Sequence, residues 1–502
     1  MLTLIDPKTT WPPPQWNNIY RLYALHDAWF SGDANRLAAC YAQAVTIPNF
    51  EQFFNAFRTD NDHFWGRGLA ARRRTMLHVP VAGDIAATSA ALLFSEPPKI
   101  KVQDDGSLNA RKAQARLDTI ITEGHWRSKL IEAAEACAAL GGIFLKINWD
   151  KTLASIPILS VVQPDQALPE FSHGILTAVT FWRVLDEAGD KVWRLLERHE
   201  PGRILTSLFL GTGAQLGTPV DLDSRDETAG MLPEVDTGLS GLAAVYVPNV
   251  RPNRWFRNDP RGKDLGQSDY LGAEGLMESL DETYSSLMRD IQLGKARIIA
   301  PRRFFQLMTS DDNKSLAFDL DREAYVAFEV MESPNSTLND NIKLTQFEIR
   351  AEQHLTVALE LLKRIYQTAG YSPQTFGLDI TGQAESGTAL MIRERKSLMT
   401  AAKKAEHWRV ALERLAFIAQ AIDAKYLGGG FTPVPVSVEM QDSVRGELSQ
   451  VAQSIELLSR AGAVSKETMV RLLHPDWTHD QVESEVRRIL EESGLAVPTG
   501  EF

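Results

Sequence analysis

Carboxylates are the side chains of this sequence most readily given chemistry. Asp311, Asp312, Asp319 and Asp321 lie in SDDNKSLAFDLD, where clustered acids could hold Mg²⁺ for an enzyme acting on nucleic acid or nucleotides. They fall in a turn and at a strand edge, where solvated charge is the ordinary role of aspartate, so this reading stays a minor alternative. The run DLDSRDETAG superficially suggests a calcium loop. An EF-hand needs an oxygen ligand, glycine and glutamate at its fifth, sixth and twelfth positions, and counting from Asp221 these are Arg225, Asp226 and Leu232, which rejects it. Gly294-Lys295 has neither the upstream glycine nor the following Ser or Thr of a phosphate loop, and no HExxH, Cys/His cluster or GxSxG occurs. His354, His407 and His474 stand alone on predicted helices or their ends. No catalytic residue, metal site or cofactor is assigned.

A stronger pattern is a basic stripe, Arg393, Arg395, Lys396, Lys403, Lys404 and Arg409. It lies on a proline-free stretch in which Leu390, Leu398, Ala401, Ala405, Trp408, Leu412, Leu415, Ile418 and Ile422 recur at helical spacing. The pattern predicts a helix from about Thr388 to Leu427, on the order of 60 Å long. The stripe is either a solvated face or a contact with something anionic, a neighbouring subunit included.

The elements around this helix follow in order. Helix is predicted over 16–45, after a Trp/Pro-rich arm packed on its own chain or on a neighbour, then over 79–94 up to Pro97-Pro98. KIKV begins a strand, a helix spans about 109–139, and IFLKINWD, IPILSVVQP, TAVTFWRVL and VWRLLERHE read as an antiparallel sheet. Residues 210–240 read as a surface loop. From Ser268 a helix carries Leu280, Tyr284, Leu287 and Ile291 on one face and an exposed acidic face of Asp269, Glu274, Glu278, Asp281, Glu282 and Asp290. A small β-rich insertion, a helix from about Leu338 to Ala369 and a glycine-punctuated loop lead back to the long helix. Beyond it come a short strand and two or three helices, the last opened by a Thr478/Gln481 capping box. The fold class is α+β, predominantly helical.

Composition bounds the function. The 502 residues, 44% hydrophobic, are globular and enough for several domains. A net charge of -12, from 53 Lys+Arg against 65 Asp+Glu, excludes a protein that grips nucleic acid over its whole surface and leaves sliding contact open. Cys40 and Cys137 cannot build a disulfide framework, so free thiols and a reducing cytoplasm are expected. The N-terminal sequence lacks the pattern of a signal peptide and no apolar run is long enough for a membrane span.

This order of elements resembles the tailed-bacteriophage portal proteins, those of siphophage type most closely. The resemblance is carried by VPVAGDIAATSAALLFSEPPKI, by GGIFLKINWD followed by VVQPDQALPEF, by the helix after GQSDY and above all by ESGTALMIRERK at the head of the long helix. It implies a wing over 1–262, stem helices at 263–294 and 339–371, a clip at 295–338, a channel loop at 372–387, a long wing helix with return strand at 388–440 and a crown at 441–502. It further implies a homo-oligomeric ring of about twelve subunits at one capsid vertex of the virion. Double-stranded DNA would pass through it during packaging and ejection. Terminase, then head-completion or adaptor proteins, would dock on it, with major capsid and scaffolding proteins around it and no membrane. Thr375, Phe376, Asp379, Thr381 and Gln383 are the loop residues expected to face DNA. No Lys or Arg lies between Tyr371 and Ala389, which favours guidance or sealing over a grip on phosphate. An acid-faced stem would repel DNA. Arg393, Arg395, Lys403 and Lys404 are expected to pair across subunits or within the wing. The alternative is a helical scaffold or minor capsid protein.

Overall fold

The computed structural model describes residues 8–42, 64–65, 76–103, 105–294, 297–301, 325–328, 343–345, 349–378, 387–440, 455–474, 477 and 479–492. Contacts divide the chain into Met1–Met440 and Gln441–Phe502.

The first unit opens with its arm on its own sheet: Trp11 N–H donates to Ala214 O at 3.0 Å, and the Trp11 ring meets Trp182 edge-on at 6.0 Å. Helices α1 (Asn17–Ser31) and α2 (Ala34–Ala42) replace the single helix expected over 16–45, because Gly32 takes a left-handed conformation between them. After Pro80 comes α3 (Val81–Phe94). The helix expected over 109–139 is likewise two, α4 (Leu108–Glu123) and α5 (Trp126–Leu140), broken where His125 adopts φ 51°. Ser107 caps α4 by accepting from Ala110 N–H at 3.1 Å. Gly141 ends α5 at φ 88°, and a Cβ there would lie 2.8 Å from the Gln267 and Ser268 backbone, so the helix end and the segment leading to the stem can touch only through glycine.

Strand β1 (Lys99–Val102) pairs with a strand from the far end of the unit, Val436–Glu439. The strands between 142 and 248 form two sheets where the sequence suggested one. Strands β2 (Gly142–Asn148) and β3 (Ile158–Val162) join a later strand, Ala244–Pro248, in one. The other is a meander of β4 (Ala167–Ser172), β5 (Ile175–Ala188), β6 (Lys191–Glu200), β7 (Arg203–Gly211) and β8 (Thr218–Val220), with β9 (Glu234–Asp236) also on β7. Strand β4 is not among the strands expected from the sequence; it carries Pro169, which an edge strand tolerates, and β4 is an edge. Strands β8 and β9 occupy the stretch expected to be loop. The Ala244–Pro248 strand is β10.

Next come α6 (Glu274–Leu293), β11 (Arg297–Pro301), β12 (Tyr325–Phe328), β13 (Lys343–Thr345) and α7 (Ala351–Ala369). Strand β11 pairs parallel with β12 and antiparallel with β13, Ile298 facing Leu344. Leu344 therefore lies in a strand and not on the helix expected from Leu338; the heptad-like spacing at 344 and 347 is overridden by the ladder that β11 offers. The long helix α8 (Gly387–Ile422), about 54 Å by its rise, continues as one π turn, Asp423–Leu427, before β14 (Val436–Glu439).

One core joins α4, α5 and β2 to the second half of α8, where Trp408, Leu412, Leu415, Ile418 and Ile422 are buried. Trp408 stands edge-on to Phe94 at 5.0 Å. A second core joins α1, α3, α6 and α7 through Trp29, Ile85, Leu280 and Ile365. Each fully buried side chain of this size stabilises by roughly 1.5–3 kcal/mol. The Gln441–Phe502 unit contains α9 (Lys466–Leu473) and α10 (His479–Glu492), with Val470 and Val482 buried. Thr478 lies outside the described residues.

Candidate conduit elements and their buried junction

The first residues of the expected channel loop are fixed against α7 and α8. Helix α7 ends at Gly370, φ 94°, leaving carbonyls without helical partners. Side chains of α8 supply them: Lys396 Nζ donates to Gln367 O at 2.6 Å and Thr400 Oγ1 to Gly370 O at 2.6 Å. Ser397 Oγ accepts from Ser372 N–H at 2.8 Å and lies 2.7 Å from Thr375 Oγ1. Residues Pro373–Phe376 form a short 3-10 turn, and the Phe376 ring stacks on Tyr366 at 3.7 Å, nearly parallel at 6°. Thr375 and Phe376, expected to face DNA, are half-buried anchors of this root. Asp379, Thr381 and Gln383 lie outside the described residues, as do Asp311, Asp312, Asp319 and Asp321.

One helical turn beyond Thr400 is Lys404, 1% exposed. Its ammonium donates to Ser89 Oγ at 2.7 Å, to Tyr371 OH at 2.9 Å and to both oxygens of Asp269 at 2.7 and 2.6 Å. Tyr371 OH donates to Asp269 Oδ2 at 2.8 Å, and Asn249 Nδ2 to Asp269 Oδ1 at 2.8 Å. Asp269 N–H is itself tied to Ala138 O at 3.0 Å, at the end of α5. Nearby, burial pushes the Cys137 thiol up, the Lys404 charge opposing. The site thus joins α3, α5, α8, the approach to α6 and the exit of α7. Lys404 is therefore removed from the residues available to a neighbouring subunit. Arg395 and Lys403 are exposed, while the Arg393 side chain lies outside the described ones.

The acidic face of the stem is corrected outright. Asp269, Glu274, Glu278 and Asp281 are buried, at 5%, 1%, 3% and 0% exposure, and only Glu282 and Asp290 of the expected stripe are partly open. Glu274 Oε1 lies 3.2 Å from His26 Nε2 on α1 and its Oε2 accepts from Gly272 N–H at 2.6 Å. Asp281 accepts from Trp65 Nε1 at 3.1 Å, His78 Nδ1 at 2.8 Å and Val79 N–H at 2.8 Å. Burial raises the Asp281 carboxyl above its usual pKa, with the His78 hydrogen bond opposing. Acids spaced along a helix look solvated until their histidine and indole partners arrive from distant sequence. Asp290 is bridged by Arg350 at 3.0 Å and His354 at 3.1 Å across the α6–α7 pair. The His354 hydrogen bond holds its carboxyl low.

A half-buried ionic group lies in the sheets: Lys146 Nζ reaches both Glu197 oxygens at 2.7 and 2.8 Å, and the buried His199 places Nε2 2.5 Å from Glu197 Oε1. Burial pushes Glu197 up, but the Lys146 charge and the His199 contact together bring it well below the carboxylate range. Burial lowers His199. Among the described residues no group of three or more His, Cys, Asp or Glu side chains could hold a metal ion, and no helix is long and apolar enough to cross a membrane.

These elements define a mixed helix-and-sheet protein in which two helices flanking a β insertion are fastened to a long helix by internal polar contacts. Residues 246–498 match the family described as phage portal protein, SPP1 Gp6-like, half of the chain, and the protein belongs to that family. A portal is a structural protein and not an enzyme. No curated protein sequence matches the chain. Among solved structures it is similar to a chain of the neck of an empty GTA particle with C6 symmetry, at 14% identity and TM-score 0.41, over 82% of this chain and 95% of that one. It is also similar to a chain of the native GTA particle neck with C12 symmetry, at 12% identity and TM-score 0.35, over 81% and 92%. Likeness at this level adds nothing to the assignment, which rests on the family match.

Proposed function

We propose that copies of this chain close into a ring of about twelve subunits at one capsid vertex. Double-stranded DNA passes through the ring during packaging and ejection. Terminase docks on it first, head-completion or adaptor proteins later, and major capsid and scaffolding proteins surround it in the virion. The family match over 246–498 carries this reading, because it spans α6, the β insertion, α7 and α8 together. In these terms α6 and α7 are the stem, the β11–β13 region is the clip, 372–387 is the channel loop and 441–502 is the crown. A root anchored to α8 supports a loop that guides or seals. Arg395 and Lys403 are the exposed cations we assign to the contact between subunits. Class-averaged electron micrographs of the purified protein test the proposal: closed rings with a central hole are expected, and a stable monomer at high concentration would refute it.

A further inference from the structure

Resting on the portal reading, we propose that Lys404 is a positioning residue: its buried ammonium sets the register of the long helix against the stem entry at Asp269 and the loop root at Tyr371, and thereby fixes where the channel loop leaves the stem. The geometry is saturated. An ammonium has three donors, and Ser89, Asp269 and Tyr371 surround it at 2.6 to 2.9 Å. Tyr371 OH accepts from Lys404 while donating to Asp269, and Asn249 occupies the other carboxylate oxygen. Every polar atom of this group is therefore matched in one arrangement.

Stability alone does not account for a lysine here. A buried ion pair seldom improves on well-packed apolar side chains, since desolvation offsets its attraction. What it supplies is discrimination. Sliding α8 by one turn would carry the ammonium about 5.4 Å from its partners and leave a carboxylate and a lysine buried without them. Apolar contacts discriminate between registers by packing alone, since they are not directional. Lys396, Ser397 and Thr400 extend the same face of α8 toward its N-terminus and meet Gln367, Gly370 and Ser372. Those contacts form in step only when α8 sits at the register Lys404 dictates.

The test compares full-length wild type, Tyr371→Phe, Lys404→Met and the double variant Lys404→Met/Asp269→Leu by hydrogen exchange on assembled rings and by DNA retained in particles. Failure of the wild type to form rings would defeat the portal reading and leave the exchange comparison, made on whatever species forms, to judge the pin. The double variant leaves Tyr371 OH and one Asn249 N–H without Asp269, so it is expected to assemble with a melting temperature lowered by a few degrees. Amides of 371–378 should exchange about tenfold faster in it, those of 408–422 should be unaffected, and retained DNA should fall. Tyr371→Phe, which leaves the ion pair intact, should accelerate the same root amides by a smaller factor. Unchanged root exchange in Tyr371→Phe and in any soluble Lys404 variant would overturn the proposal. So would a uniform acceleration extending through 408–422, which would make Lys404 a general stabiliser.

Discussion

Replacing Asp281 with alanine separates a buried stem face from an exposed one. The carboxylate is 0% exposed and accepts from Trp65, His78 and Val79, so its removal strands all of these donors beneath α6. Each unmet buried donor costs about 1–3 kcal/mol, and with partial relaxation the loss should be about 3–5 kcal/mol. A solvated aspartate on the same helix would cost no more than about 0.5 kcal/mol. Hydrogen exchange over 274–293 reads the difference, because a loss of 3 kcal/mol is roughly a hundredfold in protection. Asp281→Asn, which keeps one carbonyl acceptor, should lose about 1–2 kcal/mol. The pH dependence adds a sign. Since burial raises this carboxyl above 3.8, its contribution is full below that value and declines as pH rises through the folded-state pKa. Asp281→Asn should lack that decline. Protection in Asp281→Ala within twofold of wild type would refute the buried-face argument.

The group Lys146–Glu197–His199 predicts acid sensitivity: both depressed pKa values mean the unfolded chain binds more protons, so stability should fall as pH drops below 6.5 through His199 and again below 4.5 through Glu197. Thermal melts of wild type and His199→Gln, the latter lacking the first decline, check this. Reversing Arg395 and Lys403 together should raise the concentration needed for ring assembly by about tenfold, at roughly 0.5–1 kcal/mol each; unchanged sedimentation profiles would count against the assignment. Gly141→Ala should destabilise by at least 1 kcal/mol, on the order expected for a left-handed position, since the methyl would also meet the Gln267 backbone. A melting temperature equal to wild type would contradict it.

The long helix was legible because its apolar spacing is uninterrupted by proline, and Trp408 to Ile422 are buried as that spacing requires. Local breaks were less so: Gly32 and His125 split helices whose periodicity runs through them. Charge was least legible. Glu274, Glu278, Asp281 and Ser285 recur at helical spacing and are all buried, but their fate depends on partners such as His26, 248 residues away from Glu274. Lys404 looked like the middle of a solvated stripe for the same reason, its carboxylate partner lying 135 residues upstream. The two-sheet arrangement was hidden because β2 takes its second partner from β10, far along the chain, which no local pattern announces.

Helix α8 is held very differently along its length. Its second half is embedded in apolar side chains, and just beyond it Asp423 receives Arg116 through paired contacts of 2.9 and 2.7 Å. Its first half meets the rest of the chain through polar contacts at 396, 397, 400 and 404. With the contacts at 396–404 released, such a stiff rod, built in at one end, would act as a lever. About 42 Å separates Leu415 from Gly387 along the axis, so a tilt of about 1° at the clamped end displaces the other by about 0.7 Å. Small strains in the clamped half would thus be magnified where α8 begins.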